Sequence, residues 1–251
     1  MIGSVHKAMT VLTVLADGGG EPLPLASIAE RVGLPKPTCA HLIKTLEMDG
    51  FLVKISPSKG YILGPAAYYL SRFDGYGKHL TKVARPVMRY LHLALGYTVV
   101  LAVLEGKDKY ILDCFDGSAM FATSARMKKD DIYRTATGRV ILSHLSAEQV
   151  KAVVDKHGLP QAAVRETATT PSSLATALEK IKTAPVTKTR TVSEKRVDIG
   201  YGAPIFHAGE CVAALGIAVR VTDEAEKSFA DEEKKVKKLL VSGARLIGER
   251  L

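Results

Sequence analysis

At 251 residues with 47% hydrophobic content, the chain is long enough for two modest domains, each with its own buried core. No apolar run approaches the ~20 residues that span a bilayer, and the N-terminus lacks the charged, apolar, small-residue succession of a signal peptide, so a cytoplasmic protein without a membrane partner is expected. The net charge of +9 suits a nucleic-acid partner, yet it is unevenly placed: 7 Lys/Arg stand against 6 Asp/Glu through Tyr76, and 28 against 20 from Gly77 onward.

Val5, Met9, Leu12 and Leu15 recur at helical spacing and predict a first helix ending at Asp17-Gly18-Gly19-Gly20. A second helix spans Ala26 to Val32, with Leu25, Ile28, Ala29 and Val32 as its apolar face and Gly33 as its stop. The third runs from Lys36 to Asp49, opened by Pro35 or Pro37, since a first-turn N–H has no intrahelical partner to lose. Its apolar face is Cys39, Leu42, Ile43 and Leu46, leaving Lys36, Pro37, Thr38, His41, Lys44 and Thr45 outward. Strands at Phe51 to Ile55 and Tyr61 to Leu63, joined by Ser56-Pro57-Ser58-Lys59-Gly60, place Lys54, Ser58 and Lys59 at or near a hairpin tip.

Together these elements predict a winged helix-turn-helix over residues 1–64, a device for laying one helix in the DNA major groove. Thr38, His41, Lys44 and Thr45 are the leading base or phosphate readers. Lys36 reads equally well as a solvated lysine. A purely structural three-helix unit, or a winged domain that contacts protein, is the competing reading.

Gly64-Pro65 ends the hairpin, and Ala66 to Phe73 predicts a linker helix within 65–77. The remaining domain, 78–251, alternates helices and hairpins. Helices are expected at Lys78 to Leu95, Gly138 to Leu145, Ala147 to His157, Pro171 to Lys182 and Ala225 to Glu249. The strands are Thr98 to Leu104 with Lys109 to Phe115, and Tyr201 to Phe206 with Cys211 to Val221. The fold class is therefore α+β, an antiparallel sheet with helices expected on one side.

Cys39, Cys114 and Cys211 lie far apart and lack close-spaced Cys/His partners, so buried, inert thiols are expected, with no metal site or cofactor. Ser143-His144 are adjacent and do not face each other on a helix, and no Gly-x-Ser-x-Gly, phosphate-cradling loop or His-Glu-x-x-His occurs, which argues against an enzyme. Arg126, Lys128, Lys129 and Arg134 stand beside Asp130 and Asp131 and read chiefly as a solvated loop.

Ile28-Ala29-Glu30-Arg31-Val32-Gly33-Leu34-Pro35-Lys36, Leu46-Glu47-Met48-Asp49-Gly50-Phe51 and Gly60-Tyr61-Ile62-Leu63-Gly64, with Thr135-Ala136-Thr137-Gly138-Arg139 and Gly202-Ala203-Pro204-Ile205-Phe206, form an ordered set that resembles the IclR family of bacterial regulators. That resemblance implies a GAF-like C-terminal domain that binds a small metabolite and modulates promoter DNA binding as a homodimer or tetramer. It matches Ala136, Thr137, Gly138, Gly200, Gly216 and Ala218 to effector-cavity positions, and Thr137-Gly138 reads as a helix start suited to a carboxylate. A dimerisation module whose small residues permit tight packing is the alternative.

Two departures from the family carry consequences. His41 stands where relatives commonly have Arg, which loses the bidentate fork and most of the charge near pH 7. Lys188 to Glu194 is basic where relatives often line the cavity with acidic residues, which favours an anionic effector. Small residues at Gly200, Gly216 and Ala218 point to a roomy cavity and a bulkier, aromatic organic acid.

Overall fold

The structure, a computed structural model, describes residues 2–72, 77–115, 131–161, 168–193, 196–222, 226 and 228–251. Phe73 of the expected linker helix, together with Arg126, Lys128, Lys129 and Glu194, lies outside the described residues. The chain forms two units that meet in sequence at Tyr76 and Gly77.

In the first unit, α1 (Gly3–Ala16), α2 (Leu25–Val32) and α3 (Lys36–Met48) pack around Val11, Leu15, Ile28, Cys39 and Ile43. Gly33 adopts a left-handed conformation (φ 70°), which lets Leu34 N–H reach Ala29 O and Gly33 N–H reach Glu30 O. This pair of bonds closes the helix end and fixes the turn into α3. Strands β1 (Leu52–Ser56) and β2 (Gly60–Leu63) form an antiparallel hairpin. Leu23 adds a bridge to it, exchanging 2.9 Å hydrogen bonds with Tyr61. Helix α4 (Pro65–Arg72) follows.

Helix α1 departs from its expected phase. Val5 and Met9 are 52% and 56% exposed, while Val11, Val14 and Leu15 are buried. The segment is apolar on more than one stripe, and α2 and α3 cover only its later turns, so spacing alone could not choose the buried face.

The second unit is built on a five-stranded antiparallel sheet of order β4-β3-β7-β6-β5. Its strands are β3 (Thr98–Glu105), β4 (Asp108–Phe115), β5 (Thr187–Ser193), β6 (Arg196–His207) and β7 (Glu210–Thr222). Helices α5 (Lys78–Leu95) and α10 (Ala230–Arg250) cover one face, where Met88, Leu91, Leu240 and Ile247 meet Leu101, Ile199, Tyr201, Ile205 and Leu215.

The opposite face is covered too, which corrects the one-sided arrangement expected above. Helix α7 (Ala136–Ser143) sets Val140 and Ile141 on Ala102 and Ala214. Around it, α6 (Asp131–Arg134), α8 (Ala147–His157) and α9 (Pro171–Lys182) share a separate core of Tyr133, Leu142, Val153, Leu174 and Leu178. Five consecutive residues of β7, Ala213 to Ile217, are buried, as a strand covered on both faces requires.

Strand β5 was not expected. Its alternation of Thr with basic residues is an edge-strand pattern, and it pairs with β6 from Thr187 opposite Gly202 to Ser193 opposite Arg196. Of the cysteines, Cys39 is buried and Cys211 half-buried, and burial pushes the Cys39 thiol up and that of Cys211 up to about 11. Cys114 is exposed, against the expectation that all three are buried. Among the described residues no helix is long and apolar enough to cross a membrane, and no His, Cys, Asp or Glu cluster is arranged to hold a metal ion.

Candidate functional site

On α3 the phase is fixed by what lies beneath it. Cys39, Ile43 and Leu46 point into the core and Leu42 is half-buried, so Lys36, Pro37, Thr38, His41, Lys44 and Thr45 all emerge exposed. The polar stripe is not consumed by the unit's own packing. Thr45 Oγ1 donates to His41 O at 3.1 Å, so its proton is engaged locally and its lone pairs face outward as acceptors.

The hairpin tip is ordered by Ser56, whose Oγ accepts from Lys59 N–H at 3.0 Å and lies 3.2 Å from Ser58 Oγ. Lys54, Ser58 and Lys59 are exposed there, with Lys54 Nζ 5.8 Å from the centre of the Tyr61 ring. A cation resting on an aromatic face keeps its charge while losing freedom, which suits a phosphate contact.

In the second unit the expected effector residues gather where the first turn of α7 crosses the sheet. Strand register aligns Val100, Gly216, Gly202 and Thr187 in one row, and Thr98, Ala218, Gly200 and Thr189 in the next. The first row is covered: a Cβ on Gly202 would lie 2.8 Å from Ala136 C, and one on Gly216 only 2.5 Å from Thr137 Cγ2. These glycines let α7 approach and do not enlarge a cavity.

The second row is more open, with Gly200 and Ala218 half-buried and Thr189 Oγ1 donating to Gly200 O at 3.4 Å. Ala136 stands at its edge, 3.6 Å from where a Gly200 Cβ would be. Gly138 turns away, its missing side chain making room for Ile132 O at 2.2 Å.

The start of α7 is capped by Thr135, whose Oγ1 accepts from Gly138 N–H at 3.2 Å and from the buried Lys109 ammonium at 2.9 Å. Ala136 and Thr137 carry N–H groups that no intrahelical carbonyl reaches. One row further, Asp198 and Arg220 are paired by bonds of 2.5 and 3.0 Å, and they close the floor with an ion pair. Thr98, Thr189, Asp198 and Arg220 were missed from the sequence; for Thr98, Asp198 and Arg220 the signal was their alternation with the apolar residues of the other face, whereas Thr189 alternates with Lys188 and Arg190.

The basic stretch of β5 does not serve this floor. Lys188 pairs with Glu233 and Arg190 with Glu226, both at 2.7 Å, so the positive charge once read as an anion attractor is spent on acids toward α10. Burial would raise the Glu233 carboxyl, but its bonds to Lys188 and Lys237 outweigh that and hold it low.

His144, at the end of α7, meets Phe206 edge-on at 5.0 Å, and Ser143 Oγ donates to Val140 O, so the adjacent pair has separate structural roles. Burial, aided by Lys182, pushes the His144 imidazole below its ordinary 6.5. The unfolded chain therefore takes up the proton first. The associated stability is present above 6.5 and is lost as pH falls through the lower folded value. Urea midpoints should drop between pH 7.5 and 5.5, and His144→Gln should make that drop shallower; an unchanged slope in the variant would assign the acid sensitivity to other groups.

A winged helix-turn-helix with an outward polar recognition stripe, coupled in one chain to a two-face-covered antiparallel sheet, is the architecture of a two-domain helix-turn-helix protein. Residues 4–56 match the IclR helix-turn-helix domain, and residues 76–247 match the bacterial transcriptional regulator IclR C-terminal domain. The chain belongs to the IclR family of bacterial transcriptional regulators.

It is similar to the acetate operon repressor of Salmonella typhimurium (strain LT2), at 27% identity over 161 residues, covering 63% of this chain and 58% of that protein. The HTH-type transcriptional regulator KipR of Bacillus subtilis (strain 168) is 26% identical over 250 residues, covering 98% of this chain and 97% of the relative. Among solved structures, an IclR homolog from Microbacterium hydrocarbonoxydans complexed with 4-hydroxybenzoate shares the fold at a TM-score of 0.72 and 20% identity, covering 99% of this chain and 98% of the other.

Proposed function

We propose that this chain is a cytoplasmic DNA-binding transcriptional regulator, a repressor in preference to an activator, whose hold on a promoter is modulated by a small organic acid in the second unit. The observation that carries the reading is the exposed stripe Lys36, Pro37, Thr38, His41, Lys44 and Thr45 on the second helix of a helix-turn-helix, with the Lys54, Ser58 and Lys59 wing beside it in sequence. Preference for repression follows the relative named an acetate operon repressor.

The acid would rest on Gly200 and Ala218, its carboxylate toward the Ala136 N–H at the start of α7, where the helix dipole favours negative charge. The acid-bearing relative makes an aromatic acid a sound first choice for screening. Two chains would present two recognition helices to a pseudo-palindromic operator. Ile2, Val5 and Met9 on and before α1, and Tyr68, Tyr69 and Leu70 on α4, are exposed apolar side chains that support such self-association.

A gel shift on fragments of the neighbouring promoter, with and without aromatic and aliphatic acids, tests the reading. Retention of a fragment that an acid releases is expected; no retained fragment across a genomic library would overturn it. Lys44→Ala is expected to weaken binding to all sequences alike and to reduce the salt slope by about one. Thr38→Ala and His41→Ala should instead relax base preference, at about 1–3 kcal/mol per good contact. A salt titration of Lys44→Ala that overlays the parent would remove Lys44 from the interface.

A further inference from the structure

A second cleft, of about 490 Å³, opens between α9 and the start of β5, and neither Gly200 nor Ala218 lines it. Its α9 wall carries Ser173, Thr176 and Lys180, whose spacing puts them on one helix face. Arg139 enters from α7 and Thr187 from β5. No acid lines it among the described residues, although Glu179 stands next in sequence to Lys180.

Three features make this more than a crevice. Thr187 is only 6% exposed, yet among the described residues its Oγ1 has no hydrogen-bond partner, and an unsatisfied buried hydroxyl is destabilising until a partner arrives. Arg139 is half-buried and oriented by its Nε, which donates to Tyr133 O at 2.7 Å. Lys180 is exposed with no ion pair among the described residues, whereas Lys188, at the same cleft, is already drawn to Glu233.

The hydroxyls add a second chemical requirement. Ser173 Oγ is engaged by Thr170, whose N–H it accepts and to whose O it donates, both at 3.0 Å, whereas Thr176 Oγ1 donates to Ser172 O at 3.1 Å and presents its lone pairs to the cleft. An acceptor beside two cations suits a molecule with an oxyanion at one end and hydroxyls along its body.

We infer that this cleft is a second small-molecule site, which takes a hydroxylated organic phosphate or carboxylate. Arg139 and Lys180 pair with the oxyanion, Thr187 donates its hydroxyl to it, and Thr176 accepts from the body. This site is independent of the acid proposed on the sheet floor and goes beyond it.

The test is calorimetric titration of the full chain at constant ionic strength with glucose 6-phosphate, gluconate and inorganic phosphate. Saturable binding of glucose 6-phosphate assigns a phosphate head, and of gluconate a carboxylate head. Lys180→Gln and Thr187→Val should each weaken it at least tenfold, while Ala218→Leu, which fills the sheet floor, should leave it unchanged. Thr187→Val removes an unsatisfied polar atom and Lys180 is exposed, so both variants are expected to melt no lower than the parent.

No saturable heat with any probe, or unchanged affinity in both cleft variants, would overturn the site. So would loss of binding in Ala218→Leu alone, which would move the ligand to the sheet floor. Inorganic phosphate binding as tightly as glucose 6-phosphate would reject the role given to Thr176.

Discussion

Gly60→Ala should unfold the helix-turn-helix unit while leaving the second unit's transition in place. Gly60 has φ +96°, a conformation that costs a side-chain-bearing residue about 1–3 kcal/mol. The added Cβ would also fall 2.1 Å from Leu23 O and 2.5 Å from Pro24 N. Those are backbone atoms of the strand-like segment that bonds Tyr61, so no rotamer change relieves the clash. Overpacking adds about 1–3 kcal/mol or more.

A unit of roughly 70 residues sits at the low end of the usual 5–15 kcal/mol of stability, so this single methyl consumes much of what it has. The expected result is loss of the lower thermal transition and of promoter retention together, with ligand titrations of the second unit preserved. A variant that melts with the parent and still retains DNA would show that the Leu23 bridge is dispensable for the wing.

The same region shows why the helix-turn-helix unit was legible in the sequence. Gly33 and Pro35 punctuate the chain around a short turn, and the apolar period of Cys39, Ile43 and Leu46 then fixes the phase of α3 without reference to anything distant. The outward stripe follows directly. Helix α1 lacked such a phase marker, and its buried face was decided by where α2 and α3 end.

In the second unit the decisive contacts are remote. Gly202 and Gly216 carry no hydrophobic signal, and they are covered by Ala136 and Thr137, more than 60 residues earlier in the chain. Lys188 and Arg190 looked like an anion attractor because their acids, Glu233 and Glu226, lie 45 and 36 residues away. Charge pattern along a strand indicates that partners are needed, but only the fold says which face they occupy. The small residues matched to an effector cavity therefore divide into two jobs: Gly216 and Gly138 seat α7, while Gly200 and Ala218 remain available as floor.

That division predicts that Gly138→Ala is a strongly damaging small change in the second unit. Helical propensity alone would favour Ala by about 1 kcal/mol. The Cβ, however, would stand 2.2 Å from Ile132 O and 2.7 Å from Ile132 C, where α6 crosses the first turn of α7. Relief requires one helix to move, and each is pinned. Thr135 caps α7 and is held by Lys109, and Tyr133 on α6 donates through its hydroxyl to Gly158 O at 2.8 Å. The clash should outweigh the propensity gain and cost about 3 kcal/mol or more, the range of severe core overpacking.

Because α7 also sets Ala136 at the edge of the floor, the variant should lose the proposed acid binding before it loses its fold. Calorimetry on an acid that releases the parent from DNA should show at least a tenfold weaker association in Gly138→Ala at a temperature where the variant is still folded. Gly138→Ala that is more stable than the parent and binds the acid equally would mean that α6 is free to shift, and that the first turn of α7 does not hold the ligand.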